Sequence, residues 1–460
     1  MNDDPKLVLG KARQAFAKGD ALTAERLARS VLTGYPDLPP AMGMHARALL
    51  QLDMIAEAQD LYSRLCDIQP ERGEWPRMLV RVLGEANRFE EAEQLCRKII
   101  SREGKTEARL HMVHGDLLHT LGKGGAAAAS FRAALGAEPG HGRAIWSLAR
   151  SSAASDRDGL VRDAGSVLNN ASAPPPHQAL ARFAMGELHH ALDEFDEAFE
   201  QFAQGNAILA QLQPLGVVGF ARELDRLAKQ TSTVVPASGA KGPTPIFILG
   251  MPRSGSTLIE RMLACHTQIE SLGELPSVAR LSKAGEPLDA YVDRASTRRV
   301  TKSPCFIDKM HLNWRFLPEI LNHIPQARII DIRRDPMDCC WSNFRFPFDH
   351  GHPASTDLGW LGLFYRGYDR VLERAAELFP DRVLRIDYEA LIENPETLLR
   401  CLFTWLDLEF EASCLDFHRS TAPVATASSE QVRQPINRKG IGVHKPYLAH
   451  LGPLEQALKD

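Results

Sequence analysis

No apolar run in this 460-residue chain is long enough to cross a bilayer: Ile246-Phe247-Ile248-Leu249, among the most apolar, has four residues, where a spanning helix needs about 20. The opening residues Met1-Asn2-Asp3-Asp4-Pro5 are acidic and precede no apolar core, so no secretory signal is expected there. Basic clusters are missing too. Lys and Arg number 54 against 58 Asp and Glu, a net charge of −4, and no Lys/Arg block marks a nucleic-acid or membrane tail. Any anion site must be local. The eight cysteines (66, 96, 265, 305, 339, 340, 401 and 414) include no CxxC pair and no Cys/His zinc spacing, which indicates reduced, structural thiols. Cys339 and Cys340 are expected to pack. These absences lead us to expect a soluble, cytoplasmic protein that uses no metal and no nucleic acid.

What is present divides the chain in two. At 44% hydrophobic and 24% charged residues the composition is that of an ordinary globular protein, and the length suggests about three folding units. Pro36, Pro70, Gly104 and Pro139 recur at intervals of 34, 34 and 35 residues. Twelve residues before each stands Ala24, Ala58, Ala92 or Ala127, and nine before stands Leu27, Leu61, Leu95 or Ser130. A small residue where helices cross, an apolar ridge and a terminal breaker are what a stacked helix-turn-helix unit requires. A further helical stretch from about His177 to Leu212, with Phe195-Asp-Glu-Ala198 opening its second helix, reads as a diverged repeat or capping pair. The period and pattern resemble the tetratricopeptide repeat. The array is assigned to residues 1–235, and the Pro/Gly-rich stretch 236–244 to a linker.

Residues 245–460 alternate short apolar strands (Ile246–Leu249, Arg328–Ile332, Val383–Ile386) with helical segments, which implies a parallel α/β sheet. Directly after the first strand comes Gly250-Met-Pro-Arg-Ser-Gly-Ser-Thr257, a G-x-x-x-x-G-x-T loop before the helical run Leu258–Leu263. Backbone N–H groups of such a loop and the helix N-terminus face a phosphate, and Thr257 can donate to it. Ser256 replaces the lysine that nucleoside-triphosphate hydrolysis demands, and Arg253 supplies positive charge instead. Further along, Ile329–Ser342 reads as a strand ending in Arg333 and Arg334, then a helix opened by Asp335-Pro336. Arg334 and Ser342 would project toward a second anion, or Arg333 and Arg334 would serve as surface ion-pair partners.

The segment Pro252-Arg-Ser-Gly-Ser-Thr257 resembles the 5′-phosphosulfate loop of the sulfotransferases, which use 3′-phosphoadenosine 5′-phosphosulfate and release adenosine 3′,5′-bisphosphate. The likeness is greatest to the tyrosylprotein sulfotransferase branch and repeat-bearing bacterial relatives, and runs over roughly residues 244–456. It implies that Arg253, Ser254, Gly255, Ser256 and Thr257 hold the 5′-phosphosulfate and that Arg334 and Ser342 hold the 3′-phosphate. By the same resemblance Glu274, in Gly273-Glu-Leu-Pro276, is the general base, with a helix-end carboxylate as the alternative. Lys309 (preferred to Lys302), Ser428 and Arg253 would stabilise the transferring group. Tyr388 would lie near the nucleotide or pack on the sheet, and Lys445 would contact a phosphate, although Val443-His444 departs from the family's pattern. His311, His350 and His352 are candidate bases or acceptor contacts, or packing groups.

The expected activity is transfer of a sulfuryl group to a hydroxyl on a peptide, including a protein tyrosine, a glycan or a small molecule recruited by the repeats. The aromatic, turn-rich segment Phe344–Pro353 is expected to border the acceptor pocket. A P-loop-type kinase and a repeat scaffold with an inactive transferase domain are the alternatives, and the array leaves room for a homodimer.

Overall fold

The computed structural model describes residues 4–102, 107–151, 156–213, 217–234, 239, 242–348, 352–426 and 428–459; Gly104, His350 and most of the expected linker lie outside them. The N-terminal half is an array of helix pairs: Pro5–Ala17 with Ala21–Gly34, Pro39–Gln51 with Ile55–Ile68, Glu74–Glu85 with Phe89–Arg102, and Ala108–Thr120 with Gly124–Ala137. Ala24, Ala58, Ala92 and Ala127 are all buried, as close helix crossings require. The later stretch continues the scheme. Gly142–Arg150 precedes Arg157–Asn169, Pro175–His190 pairs with Phe195–Leu212, and Val217–Thr231 follows. In two pairs the same packing recurs: the Phe131 ring occupies the space a Cβ on Gly115 would need, and Phe202 does so at Gly186, sixteen residues on in both cases. The pair that starts with Pro175 is therefore the same structural unit as the fourth repeat.

Five parallel strands follow: β1 (Thr244–Leu249), β2 (Ile269–Ser271), β3 (Cys305–Asp308), β4 (Arg328–Arg333) and β5 (Val383–Asp387), in the order β2-β3-β1-β4-β5. β1 is central, with Phe247 opposite both Asp308 and Ile329. Its last five residues are buried, the continuous apolar reading of a strand covered on both faces. The order of strands reverses beside β1, so the loop that leaves its carboxyl end opens at a topological switch point, where open α/β sheets bind ligands. β2 and β3 are the strands the sequence pattern did not separate from loop.

The array runs along the sheet domain and joins it at several points. The buried Asp53 carboxylate accepts from Arg280 at 2.7 Å and is also bonded by Ser277 and Arg298. Asn87 donates to the Leu272 carbonyl at 2.9 Å and Asn206 to that of Phe344 at 2.8 Å. Phe199 stacks on Trp341 at 6.0 Å, and one hydrophobic core contains both Phe183 and Phe202 of the array and Phe247 and Trp341 of the sheet domain. All eight cysteines are free thiols. Cys339 and Cys340 are fully buried in that core, consistent with packing.

Candidate active site

β1 ends at Leu249, and after Gly250 the chain turns through Arg253 (φ 68°) and Gly255 (φ 104°) before the helix Ser256–Leu263 begins. Two left-handed residues in three curl the backbone into a concave turn at a helix N-terminus, the geometry that presents N–H groups to an anion. A side chain at Gly255 is excluded twice, by its φ and by the Tyr388 ring 2.5 Å from where a Cβ would stand. Tyr388, the first residue of the helix Tyr388–Glu393 that directly follows β5, is packed between Gly255 and Gly440, and burial raises its phenol pKa.

The two arginines at the end of β4 divide their work. Arg333 pairs with Asp331 at 2.7 Å and Asp369 at 2.6 Å and lies over the Tyr368 ring, a structural ion pair. Arg334 turns the other way. It donates to the Arg253 carbonyl at 2.8 Å and to Ser342 Oγ at 3.2 Å, bonds the Gly440 carbonyl, and lies 5.5 Å from the centre of the Tyr388 ring. Its Nε and the Ser254 hydroxyl are buried without a hydrogen-bond partner among the described residues. The helix Pro336–Phe344, capped by Asp335 accepting from Asp338 N at 2.9 Å, holds Ser342 in place. Arg253 donates to Ser428 Oγ at 2.6 Å, and Thr257 to Thr426 Oγ1 at 3.3 Å.

Most of these groups, though neither Arg333 nor the expected loop residue Ser254, line one cavity of about 950 Å³ between the sheet domain and the array, at the upper end of the size range of ligand pockets. Arg253, Gly255, Ser256, Thr257, Arg334, Ser342, Tyr388 and Ser428 all border it. So does Phe346, from the segment expected to border the acceptor. Across from them stand array residues that sequence reasoning missed, among them Trp146, Arg150 and Glu187, since repeat periodicity alone does not say which helix face meets another domain. Burial and the nearby charges of Arg150, Arg334 and Arg345 pull the Arg253 pKa down to about 9, against the opposing effect of Glu187. Such crowding of cations favours an anionic occupant.

Glu274 and Lys309 are brought together, with Nζ to Oε1 at 2.5 Å, and Glu260 lies 3.9 Å from the same ammonium. Glu260 in turn accepts from Ser271 at 2.7 Å. Burial raises the Glu274 pKa, but the charge and hydrogen bond of Lys309 outweigh it and hold the carboxyl below its usual range. Burial lowers the Lys309 pKa, and Glu274 and Glu260 reverse the effect. The pair is not part of the cavity wall; it is linked to the loop through Glu260, on the helix Ser256–Leu263.

Lys445 stands apart. It is exposed and does not border the cavity, because the chain from Gly442 to His444 is bonded back onto Asp338, while Lys439 on the same segment does border it. His311 is close enough to Glu274 and Lys309 for their charges to act on it, and burial lowers its pKa. His352 is buried edge-on against Phe348 and Phe364, a packing group.

A model of the sulfotransferase family matches residues 245–304 and 286–412. A protein of Aquifex aeolicus (strain VF5), named only as uncharacterized, is 26% identical over 333 residues, covering 64% of this chain and 43% of its own length. The chain thus spans less than half of that relative. A Caenorhabditis briggsae protein named "Putative protein-tyrosine sulfotransferase" is 23% identical over 220 residues, 43% of this chain and 79% of that protein. The sulfotransferase domain of the Synechococcus PCC 7002 olefin synthase is 20% identical, with a TM-score of 0.36 covering 49% of this chain and 97% of that domain.

Proposed function

Starting from a chain that joins a tetratricopeptide-like array to a sulfotransferase-family domain, we propose that it moves a sulfuryl group from 3′-phosphoadenosine 5′-phosphosulfate to a hydroxyl acceptor. The observation that carries this reading is the Arg334–Ser342 pair beside a loop that has Ser256 where a kinase would need lysine. A nucleotide with a second, 3′-phosphate gives that pair a function. The residues fit such a donor: Arg334, which borders the cavity, has a buried Nε with no hydrogen-bond partner among the described residues. Arg253, Ser256 and Thr257 would hold the 5′-phosphosulfate, Arg334 and Ser342 the 3′-phosphate, and Tyr388 would pack beside the nucleotide.

Sulfuryl transfer requires in-line positioning, neutralisation of the equatorial and leaving oxygens, and removal of the acceptor's proton. Arg253 and Ser428, already bonded to each other, would face the transferring oxygens. Glu274, which is kept ionised by Lys309 and lies outside the cavity wall in this structure, would take the proton when the bound acceptor's hydroxyl reaches it. When Lys309 engages a sulfuryl oxygen, its hold on the carboxylate weakens and Glu274 becomes the stronger base. The similarity to the C. briggsae protein makes a peptide tyrosine one acceptor to test; a glycan or small metabolite is the other class. The test is transfer of 35S from labelled donor to an acceptor panel of tyrosine peptides, oligosaccharides and phenols. Label must appear in an acceptor with the native protein and fall at least 100-fold with Glu274→Gln; turnover of ATP with no transfer from the sulfated donor would replace this reading with a kinase.

A further inference from the structure

The reaction derived above leaves the array's side of the cavity without a role. Trp146 and Arg150 lie one turn apart on the helix Gly142–Arg150, and Phe346 approaches from the sheet domain, four residues after Ser342. Trp146 and Phe346 meet edge to face at 5.2 Å. The Arg150 guanidinium is 4.8 Å from the centre of the first ring and 5.2 Å from that of the second. Contacts of this kind hold a guanidinium by its face and direct its N–H groups along its plane, the arrangement that suits a planar or tetrahedral anion.

Charge around the cavity points the same way. Arg253 and Arg334 are engaged by the donor groups assigned to them, and Arg345 donates to Glu187 at 3.1 Å and meets His190 Nε2 at 3.3 Å. Asp116 is bonded to Arg143 at 3.0 Å. Arg143, Arg150, Arg253, Arg334 and Arg345 all border the cavity against the acidic lining residues Asp116, Glu187 and Glu430, and the charges of Glu187 and Glu430 act on Arg150. Such a cavity selects for negative charge beyond that of the donor.

We propose that the array supplies an acceptor-specificity site: Arg150 binds an anionic group carried by the hydroxyl acceptor, while Trp146 and Phe346 contact its planar apolar body. The proposal rests on the sulfuryl-transfer reading of the cavity. The acceptor class is a hydroxylated ring compound bearing a carboxylate or phosphate, and the array is then part of the substrate site.

The probes are 4-hydroxyphenylacetate, 4-hydroxyphenyl phosphate and the neutral 4-hydroxyphenylacetamide, each titrated calorimetrically into the full chain loaded with adenosine 3′,5′-bisphosphate. At least one anion should bind the native protein about tenfold or more tightly than the amide, as a charge-assisted hydrogen bond would give; which anion wins identifies the group. Arg150→Met, which keeps the apolar stem, should abolish the preference, and Arg150→Lys should retain part of it. Equal binding of anions and amide, no binding of any probe, or a preference that survives in Arg150→Met overturns the proposal. Should the protein refuse the nucleotide, the sulfuryl-transfer reading fails by itself, and the same comparison on unloaded protein still decides the role of Arg150.

Discussion

Ser429 Oγ and His119 Nε2 lie 2.6 Å apart although 310 residues separate them. Beside them the Thr120 carbonyl accepts from Val424 N at 2.9 Å and from Arg433 at 2.8 Å. The segment that carries Thr426 and Ser428 is therefore tied to the end of an array helix, and the array sets the position of a side chain that touches Arg253.

His119→Ala removes one of these ties without touching the nucleotide loop. We expect kcat to fall about 10- to 100-fold, the scale of an ångström-sized misplacement, with the affinity for adenosine 3′,5′-bisphosphate within about twofold of native by the additivity of separate sites. His119→Gln, which can still bond the Ser429 hydroxyl, should recover much of the rate. Steady-state kinetics and calorimetry on the three proteins decide this, and a parallel loss of nucleotide binding would mean that the contact is merely structural.

The Glu274–Lys309 pair makes a statement about pH. The base must be deprotonated, and Lys309 holds its pKa below the usual carboxylate value. The rate should therefore be flat as pH falls from neutral and decline only below the ordinary carboxylate range. In Lys309→Ala burial acts unopposed by that charge, so the decline in the residual rate should move toward neutral pH. Glu274→Gln should lose about 10²- to 10⁴-fold in kcat. An unmoved acid limb in Lys309→Ala would remove Glu274 from the role of base.

His352 is buried, with its Nε2 lacking a hydrogen-bond partner among the described residues. Burial, with the nearby charges of His311 and Arg315, pushes its pKa from 6.5 down to about 3. The unfolded chain then binds the extra proton across that window, so this residue's contribution to stability is present above pH 6.5 and is lost as pH falls toward 3. His352→Gln should flatten the acid-side loss measured by urea unfolding between pH 7 and 4, whatever it does to stability at neutral pH. Equal slopes for the two proteins would contradict the burial of a neutral imidazole.

Much of the site was legible where its parts are local in sequence. The loop Gly250–Thr257 shows its strand, its glycines and its helix within eighteen residues, and Arg334 and Ser342 sit on one strand end and the helix that follows. Glu274 and Lys309 required a family likeness, since nothing in either segment announces the other. The strands β2 and β3 were illegible because three and four residues carry no usable alternation. Lys445 was placed by proximity to a motif, whereas the bonds from Gly442 and His444 to Asp338 leave it outside the cavity and Lys439 within its border. The array's contribution was invisible for a different reason: repeat periodicity accounts for Trp146 or His119 equally well whichever surface they meet. Their partners, Phe346 and Ser429, lie hundreds of residues away.

The most direct measurement is calorimetric titration of adenosine 3′,5′-bisphosphate into the native chain and Arg334→Ala, with adenosine 5′-monophosphate and ATP as controls. Recognition of a 3′-phosphorylated donor predicts saturable binding of the bisphosphate, at least tenfold weaker binding of the monophosphate, and loss of that difference in Arg334→Ala, as expected for a charged hydrogen bond. Equal affinity for the bisphosphate and the monophosphate in the native chain would contradict it.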